Sequence, residues 1–586
     1  MRYTDIPAAH TLVTYCKAWG IRQVVLSPGS RNAPLVLGFT SDPFFECFSV
    51  VDERSAAFFA LGLSQQSGIP TALVCTSGSA MLNYYPAVAE AYYSRVPLLV
   101  LSADRPAYKI DIGDGQTIRQ EGVYDKHIGF QASLLQDVTH ATGRIRWMNG
   151  TAPGSEEALT RMQAGIQREN EGMIQTALSL ALEEHLPVHL NIPLEEPLYG
   201  TRSYPPLPLE PRKLPKNRNV EPEGEGLLTD WQALGRKMVL VGSLPPGGLS
   251  PEVQQQLASD PSILVFTETT SNLHHKDFFP SIDSILAPIE QSDNAAASFA
   301  ALRPDLLLTI GGMVVSKKIK QFLRTYPPAR HWHLGPYNAY DTFFALTGHI
   351  RSDADGFLAS FLGRTGNSAA KVTYRQPWAR IRESYEKRRG TYLDQIPYCD
   401  FAAFGRILAD IPPGYQVQLA NSSTVRYAQL FDMAPENPVF CNRGTSGIEG
   451  STSTAIGAAH NYTGPTLLLS GDLSFLYDVN GLWNNSLRND FRVIVINNGG
   501  GGIFRILPGK EDSPAFASFF ETVHHRQIAP ICDAYGLDHL QAENRAELSA
   551  ALSEFWKPSE RPRLLEVSTP REVNDRVLLD YFEFLT

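Results

Sequence analysis

The chain has 586 residues, more than one hydrophobic core normally organises, so two to four domains are expected and three fit best. Its 43% hydrophobic and 19% charged residues are those of a globular protein, which excludes disorder as the default. A net charge of −10 argues against nucleic acid or an anionic membrane as the main partner, so any anionic substrate must be met by a local basic pocket.

The N-terminus carries no charged lead before a long apolar run, and no stretch reaches about 18 apolar residues, so a cytoplasmic protein without integral membrane contact is expected. Cys16, Cys47, Cys75, Cys399, Cys441 and Cys532 form no C-x-x-C pair and read as thiols in a reducing compartment. From about residue 20, short apolar runs alternate with turns and helical stretches: Gln23 to Leu26, Thr71 to Cys75 and Pro97 to Leu101. This is the pattern of a doubly wound parallel α/β sheet, placed at 1–190. Residues 191–226 are dense in proline and charge and are expected to be an extended linker. A second alternating set, with Lys237 to Val241, Ile263 to Phe266, Asp305 to Ile310 and His331 to Leu334, predicts a central α/β domain at 227–362. A polar connection and a charged helix from Trp378 to Arg389 fill 363–390, and a third α/β set starting near Tyr415 lies in a domain at 391–586. The first and third sets share a strand, small-residue turn, helix design, which suggests two related halves flanking a third.

Ligands of such sheets bind beyond the carboxyl ends of strands, so the strand-to-turn junctions are where chemistry is sought. In chain order they are Ser27-Pro28-Gly29-Ser30-Arg31-Asn32-Ala33-Pro34-Leu35, then Asp52-Glu53-Arg54-Ser55-Ala56 opening a helix, then Ala103-Asp104-Arg105-Pro106 and Gly115-Gln116-Thr117-Ile118-Arg119-Gln120. Asn421-Ser422-Ser423-Thr424-Val425-Arg426 and Asn442-Arg443-Gly444 follow. The last constellation is Gly471-Asp472-Leu473, Asp478-Val479-Asn480 and Asn497-Asn498-Gly499-Gly500. Asp472 and Asn498 end consecutive strands, and with the carbonyl of Gly500 they make three hard oxygen ligands suited to Mg²⁺ carrying diphosphate oxygens. Turn glycines and a helix N-terminus there can offer N–H groups to the same phosphates. Glu53 on its own reads as a carboxylate complementing a helix dipole, and one arginine on its own as surface charge.

The Gly471-Asp472 and Asn497-Asn498 constellation resembles the GDG…NN diphosphate-binding motif of thiamin-diphosphate enzymes, with Leu473 matching the GDL subgroup. That resemblance implies an α/β fold of three doubly wound parallel-sheet domains: pyrimidine-binding, central and diphosphate-binding. It implies thiamin diphosphate with Mg²⁺ or Mn²⁺ held by Asp472, Asn498 and Gly500, and cofactor contacts from Gly471, Leu473 and Ile448. It also implies Glu53 against N1′ of the aminopyrimidine as a catalytic group, and a homodimer or dimer of dimers, because the two halves of the cofactor site come from different subunits. The blocks around Arg31, Arg105, Gln116, Arg426 and Arg443 resemble those of the 2-succinyl-5-enolpyruvyl-6-hydroxy-3-cyclohexene-1-carboxylate synthases, the menaquinone-pathway MenD family. The substrates so implied are 2-oxoglutarate and isochorismate, joined by decarboxylation and 1,4-addition. The implied substrate contacts are Ser30, Arg31, Arg105, Gln116, Lys317, Ser422, Arg426 and Arg443, with Ile503 and Phe504 against the acceptor ring and Gln116 also catalytic. Arginine suits four substrate carboxylates because its planar fork makes paired hydrogen bonds. Two other readings remain at this point: another thiamin-diphosphate decarboxylase or carboligase with a neutral acceptor, and a non-catalytic nucleotide-binding protein.

Overall fold

A computed structural model describes residues 3–203, 224–365, 373–506 and 513–586. A two-residue antiparallel ribbon pairs β1 (Tyr3–Thr4) with β8 (Thr201–Arg202). Between them lies an all-parallel sheet of β2 (Gln23–Leu26), β3 (Glu46–Ser49), β4 (Thr71–Cys75), β5 (Leu98–Asp104), β6 (Phe130–Ser133) and β7 (Val188–Pro193), in the order β3-β2-β4-β5-β7-β6. The apolar runs at Gln23 and Thr71 are strands of the expected length, because β2 and β4 lie inside the sheet and bury nearly every side chain. The expected linker needs correction at both ends: β7 continues through Pro193, β8 follows at Thr201, and a helix, Gly224–Ala233, already runs at its C-terminal end. Its centre lies outside the described residues.

The central sheet is parallel, β10-β9-β11-β12-β13, from β9 (Lys237–Val241), β10 (Ile263–Thr267), β11 (Leu306–Ile310), β12 (Arg330–Leu334) and β13 (Gly348–Ile350). Its two faces feed two cores: Met238, Leu240 and Leu264 point to one, and Val239, Val241 and Val265 to the other. The charged helix extends beyond the expected span, Arg375–Gln395, and buries Trp378, Tyr385 and Tyr392 at seven-residue spacing along one face.

The third sheet holds β14 (Gln416–Leu419), β15 (Val439–Cys441), β16 (Thr466–Gly471), β17 (Phe491–Asn497), β18 (Asp538–Ala542) and β19 (Arg563–Ser568), in the order β15-β14-β16-β17-β19-β18. Counted within its own sheet, that order is 2-1-3-4-6-5, and the first sheet has the same one. The expectation of two related halves is met at the level of topology.

By compactness the described residues fall into two units: those within 1–216, 444–463 and 476–488, and those within 217–443, 464–475 and 489–586. The central and third sheets share the second unit, where one continuous core runs from Met238 to Leu585.

Candidate active site

The first unit holds Ser30, Arg31, Glu53, Arg105, Gln116 and Ile448. Glu53 is the first residue of the helix Glu53–Ser67, which Asp52 caps by accepting from Ser55 N at 3.2 Å. Asp52 Oδ2 also accepts from Asn480 Nδ2 at 2.8 Å. The helix is seated on Ser451–Asn461 by two glycines: a Cβ at Gly62 would meet Thr454 O at 2.1 Å, and one at Gly457 would meet Phe59 O at 2.0 Å. Burial raises the pKa of the half-buried Glu53 carboxyl, and the charge of Asp52 adds to that. A carboxyl so placed is suited to share a proton with a ring nitrogen.

Arg31 follows β2 in a turn that needs Gly29, where a Cβ would sit 2.3 Å from Thr76 Cβ. The guanidinium is buried and donates to Leu194 O at 3.0 Å and to Glu196 Oε1 at 3.1 Å. Arg105, after β5, donates to Ser77 Oγ at 2.6 Å and to Gln116 O at 2.9 Å, with Asp114 Oδ2 at 3.4 Å. Arg105 and Gln116 are thus brought together, and Gln116 holds the left-handed backbone at φ 55°. Gln120 fixes this block by accepting from Gly78 N and donating to Asn191 Oδ1. Ser30 is exposed and Ile448 half-buried. Asp478 and Asn480, which the sequence grouped with Asp472, fall in this unit, where Asp478 is buried and accepts from Ser453 N at 2.7 Å.

The second unit holds Lys317, Ser422, Arg426, Arg443, Gly471, Asp472, Leu473, Asn498, Gly500, Ile503 and Phe504. Its candidates hang from the carboxyl ends of four adjacent strands: Arg443 after β15, Ser422 and Arg426 after β14, Asp472 after β16, Asn498 after β17. Asp472 Oδ1 accepts from Leu473 N at 2.6 Å, and Oδ2 accepts from Gly499 N at 2.9 Å and Gly500 N at 3.0 Å. Asn498 donates Nδ2 to Asp400 at 2.9 Å, which leaves its carbonyl oxygen to act as a ligand. Gly500 has φ 155°, and a Cβ there would meet Glu521 O at 2.8 Å, so the turn is shaped to stay bare. One carboxylate, one amide oxygen and one backbone carbonyl fit a hard cation and a diphosphate.

Ser422 adopts φ 67°, ψ −126° at the start of the helix Ser423–Ala428, a conformation a side-chain-bearing residue holds only under constraint. Arg426, half-buried, has its Nε buried without a hydrogen-bond partner among the described residues. Burial and then the charge of Arg443 lower its pKa. Arg443 donates to Asn421 Oδ1 at 2.7 Å. Ile503 and Phe504 lie half-buried in the short helix Gly502–Ile506. Lys317 is exposed at the start of its helix.

Sequence reasoning missed what supports Asn498 and Asp472. Asp400 is buried, accepts from Thr569 Oγ1 at 2.5 Å as well as from Asn498, and is pushed up to about 6 by burial. His524 Nε2 lies 3.2 Å from Asp472 Oδ2, which raises the pKa of the ring. A cavity of about 330 Å³ opens here between Asn497, Asn498, Gly499, His524 and Arg571. No local pattern flags Asp400 or His524, whose partners are far away in the chain.

With this geometry in view, residues 6–129 match the thiamine pyrophosphate enzyme N-terminal TPP binding domain and residues 421–567 the corresponding C-terminal TPP binding domain. Relatives named 2-succinyl-5-enolpyruvyl-6-hydroxy-3-cyclohexene-1-carboxylate synthase are 46% identical in Christiangramia forsetii and 44% in Flavobacterium johnsoniae, each over 100% of both chains. The chain belongs to this synthase family. It is accordingly a thiamin-diphosphate-dependent enzyme of the transferase type, as the paired motifs led us to expect. A solved structure, the benzoylformate decarboxylase of Polynucleobacter necessarius, is 16% identical with a TM-score of 0.67 over 96% of this chain and 99% of that one, and so shares the fold. Among the described residues no helix is long and apolar enough to cross a membrane.

Proposed function

We propose that the protein decarboxylates 2-oxoglutarate and adds the resulting succinyl carbanion equivalent 1,4 to isochorismate, giving 2-succinyl-5-enolpyruvyl-6-hydroxy-3-cyclohexene-1-carboxylate for menaquinone biosynthesis. The observation that carries this reading is the adjacency, along the strand order β15-β14-β16-β17, of a guanidinium pair and an oxygen-only cation set. A carboxylate held at the first and a diphosphate at the second would share one crevice. Thiamin diphosphate, when bound, supplies the electron sink that lets CO₂ leave.

Every other task falls to the chain. Asp472, Asn498 and the Gly500 carbonyl hold Mg²⁺ or Mn²⁺, with Gly471 and Leu473 lining the diphosphate and Ile448 supporting the rings. Glu53 holds a proton at the aminopyrimidine N1′. Ser422 and Arg426 hold the distal carboxylate of 2-oxoglutarate. Ser30, Arg31, Arg105 and Arg443 receive the isochorismate carboxylates, Gln116 hydrogen-bonds the reacting partners, and Ile503 with Phe504 contacts the ring. In this reading residues 1–190 are the pyrimidine-binding domain, 227–362 the central one and 391–586 the diphosphate-binding one, and a cytoplasmic homodimer or dimer of dimers completes each site.

The test incubates the protein with thiamin diphosphate, Mg²⁺ and 2-oxoglutarate, with and without isochorismate, and follows 2-oxoglutarate loss and product mass. Isochorismate-dependent loss that yields the decarboxylated adduct, and that disappears in Glu53→Gln, is the expected result. Cofactor binding without 2-oxoglutarate loss would leave the family membership standing and overturn the donor assignment.

A further inference from the structure

Asn191, in β7 and 5% exposed, has its whole amide in use. Its Nδ2 donates to Asp104 Oδ2 at 2.8 Å and to Ser133 Oγ at 3.4 Å, and its Oδ1 accepts from Gln120 Nε2 at 2.7 Å and from Ser102 Oγ at 2.9 Å. Neighbours that play a single role fix how the amides point. A backbone N–H can only donate, so the 2.8 Å bond from Gly78 N sets Gln120 Oε1 and turns Gln120 Nε2 toward Asn191. At the other end Asp104 accepts twice, from Arg105 N at 2.7 Å through Oδ1 and from Asn191 through Oδ2. Ser102, Asp104 and Gln120 are buried as well, so breaking one of these bonds strands a polar group away from water.

The first unit's site candidates hang from this hub. Gln120 holds Gly78, and the preceding Ser77 takes Arg105 Nη1 on its Oγ at 2.6 Å, while the same Nη1 donates to Gln116 O at 2.9 Å. A Cβ on Gly78, whose φ is 87°, would lie 3.2 Å from Gln116 O, so the turn at Gln116 closes directly onto that glycine. Asp104 reaches the other arginine through the backbone: its O accepts from Leu194 N at 2.9 Å, and Leu194 O accepts from Arg31 Nη1 at 3.0 Å. One side chain of β7 thus stands behind Arg105 and Gln116 and, through the junction of β5 with β7, behind Arg31. Few residues could replace it. Aspartate would set a second carboxylate against Asp104, and leucine would offer neither donor nor acceptor.

We propose that Asn191 is a positioning residue for the acceptor side of the reaction, holding Arg105 and Gln116 through Asp104 and Gln120 so that an anionic acceptor meets donors already fixed in place. The inference rests on the reading that Arg105 and Gln116 meet isochorismate. It is tested in the holoenzyme by two measurements on Asn191→Leu: steady-state kinetics with both substrates, and hydrogen–deuterium exchange of the segment 104–120. Exchange there is expected to rise while the helix Glu53–Ser67 keeps its wild-type protection. KM for isochorismate is expected to rise roughly tenfold to hundredfold, the range that a misplacement of about 1 Å can cost, with the smaller share of the loss in kcat and KM for 2-oxoglutarate near the wild-type value. Gln120→Met removes the donor to Asn191 without altering β7, is expected to give the same pattern, and carries the test if Asn191→Leu does not fold. Unchanged exchange of 104–120 overturns the inference whatever the kinetics show. A rise in exchange across the whole unit, with both KM values raised alike, overturns it too, because it would make Asn191 a general stabiliser. Exchange that rises in 104–120 alone while KM for isochorismate stays put, or while the wild type leaves isochorismate unconsumed, confirms Asn191 as the anchor of that segment and overturns the acceptor reading of Arg105 and Gln116.

Discussion

In the first sheet the turns after β2 and β5 carry Arg31 and Arg105, and in the third the turns after β14 and β15 carry Arg426 and Arg443. The strand order is the same, yet the charges are handled differently. Arg31 is matched by Glu196, and Arg105 by Asp114, Ser77 Oγ and a backbone carbonyl. In the third sheet burial and then the charge of Arg443 lower the pKa of Arg426, which Asp283 and Glu268 raise. One repeated scaffold thus holds the first sheet's arginines against acids and brings the third sheet's two arginines under each other's charge.

The largest effects should come from the two groups proposed to tie each sheet to the cofactor. Glu53→Gln is expected to retain thiamin diphosphate through gel filtration while kcat falls by roughly 10²- to 10⁴-fold, the range for a lost proton-transfer group. Asp472→Ala is expected to lose the cofactor itself, because a cation ligand and the acceptor for Gly499 N and Gly500 N go together. Equal cofactor retention in the two variants would contradict the division of labour between the sheets.

Next in size is the guanidinium contrast. Arg426→Ala should raise KM for 2-oxoglutarate by roughly tenfold to hundredfold, as loss of a charge-assisted contact does, and Arg426→Lys should recover only part because it lacks the planar fork. Arg31→Ala should leave that KM near the wild-type value. A matching rise in both variants would erase the contrast between the two sheets.

Why these residues could be found in the sequence, and others not, follows from where their partners lie. Runs such as Thr71 to Cys75 and Lys237 to Val241 are buried on both faces, so they stand out as continuous apolar strands. β18 has half-exposed and polar residues at the sheet edge, and β6 likewise, so neither shows an apolar run and both escaped notice. Asp472 and Asn498 sit in a local motif, so both can be proposed from the sequence alone. Asp400, 98 positions from Asn498, and Glu268, 47 from Val315, acquire meaning only when the chain folds.

Stability offers a smaller test, centred on the helix that carries Glu53. Gly62→Ala and Gly457→Ala should each destabilise by about 1–3 kcal/mol, since their new methyl groups would meet backbone at close to 2 Å. Gly172, inside the helix Glu156–Glu183 with nothing near its would-be Cβ, is the control: Gly172→Ala should stabilise by about 0.5–1 kcal/mol. Urea unfolding measures all three. A neutral Gly62→Ala would mean that the contact with Ser451–Asn461 is looser than these distances say.

The smallest effect tests whether the Arg31 pairing is a placeholder for substrate. The Glu196 side chain is 48% exposed and divides its carboxylate between Arg31 at 3.1 Å and Arg144 at 2.9 Å. An exposed, shared pair contributes at most about 1 kcal/mol, so a substrate carboxylate making two hydrogen bonds to Arg31 can displace it at small cost. Removing the charge with Glu196→Gln should therefore lower KM for isochorismate by up to about fivefold, leave kcat unchanged and leave KM for 2-oxoglutarate alone. If Glu196 instead serves to lock Arg31 against Leu194, the same variant would lower the melting temperature without improving acceptor binding, and the first sheet's arginines would be structural where the third sheet's are not.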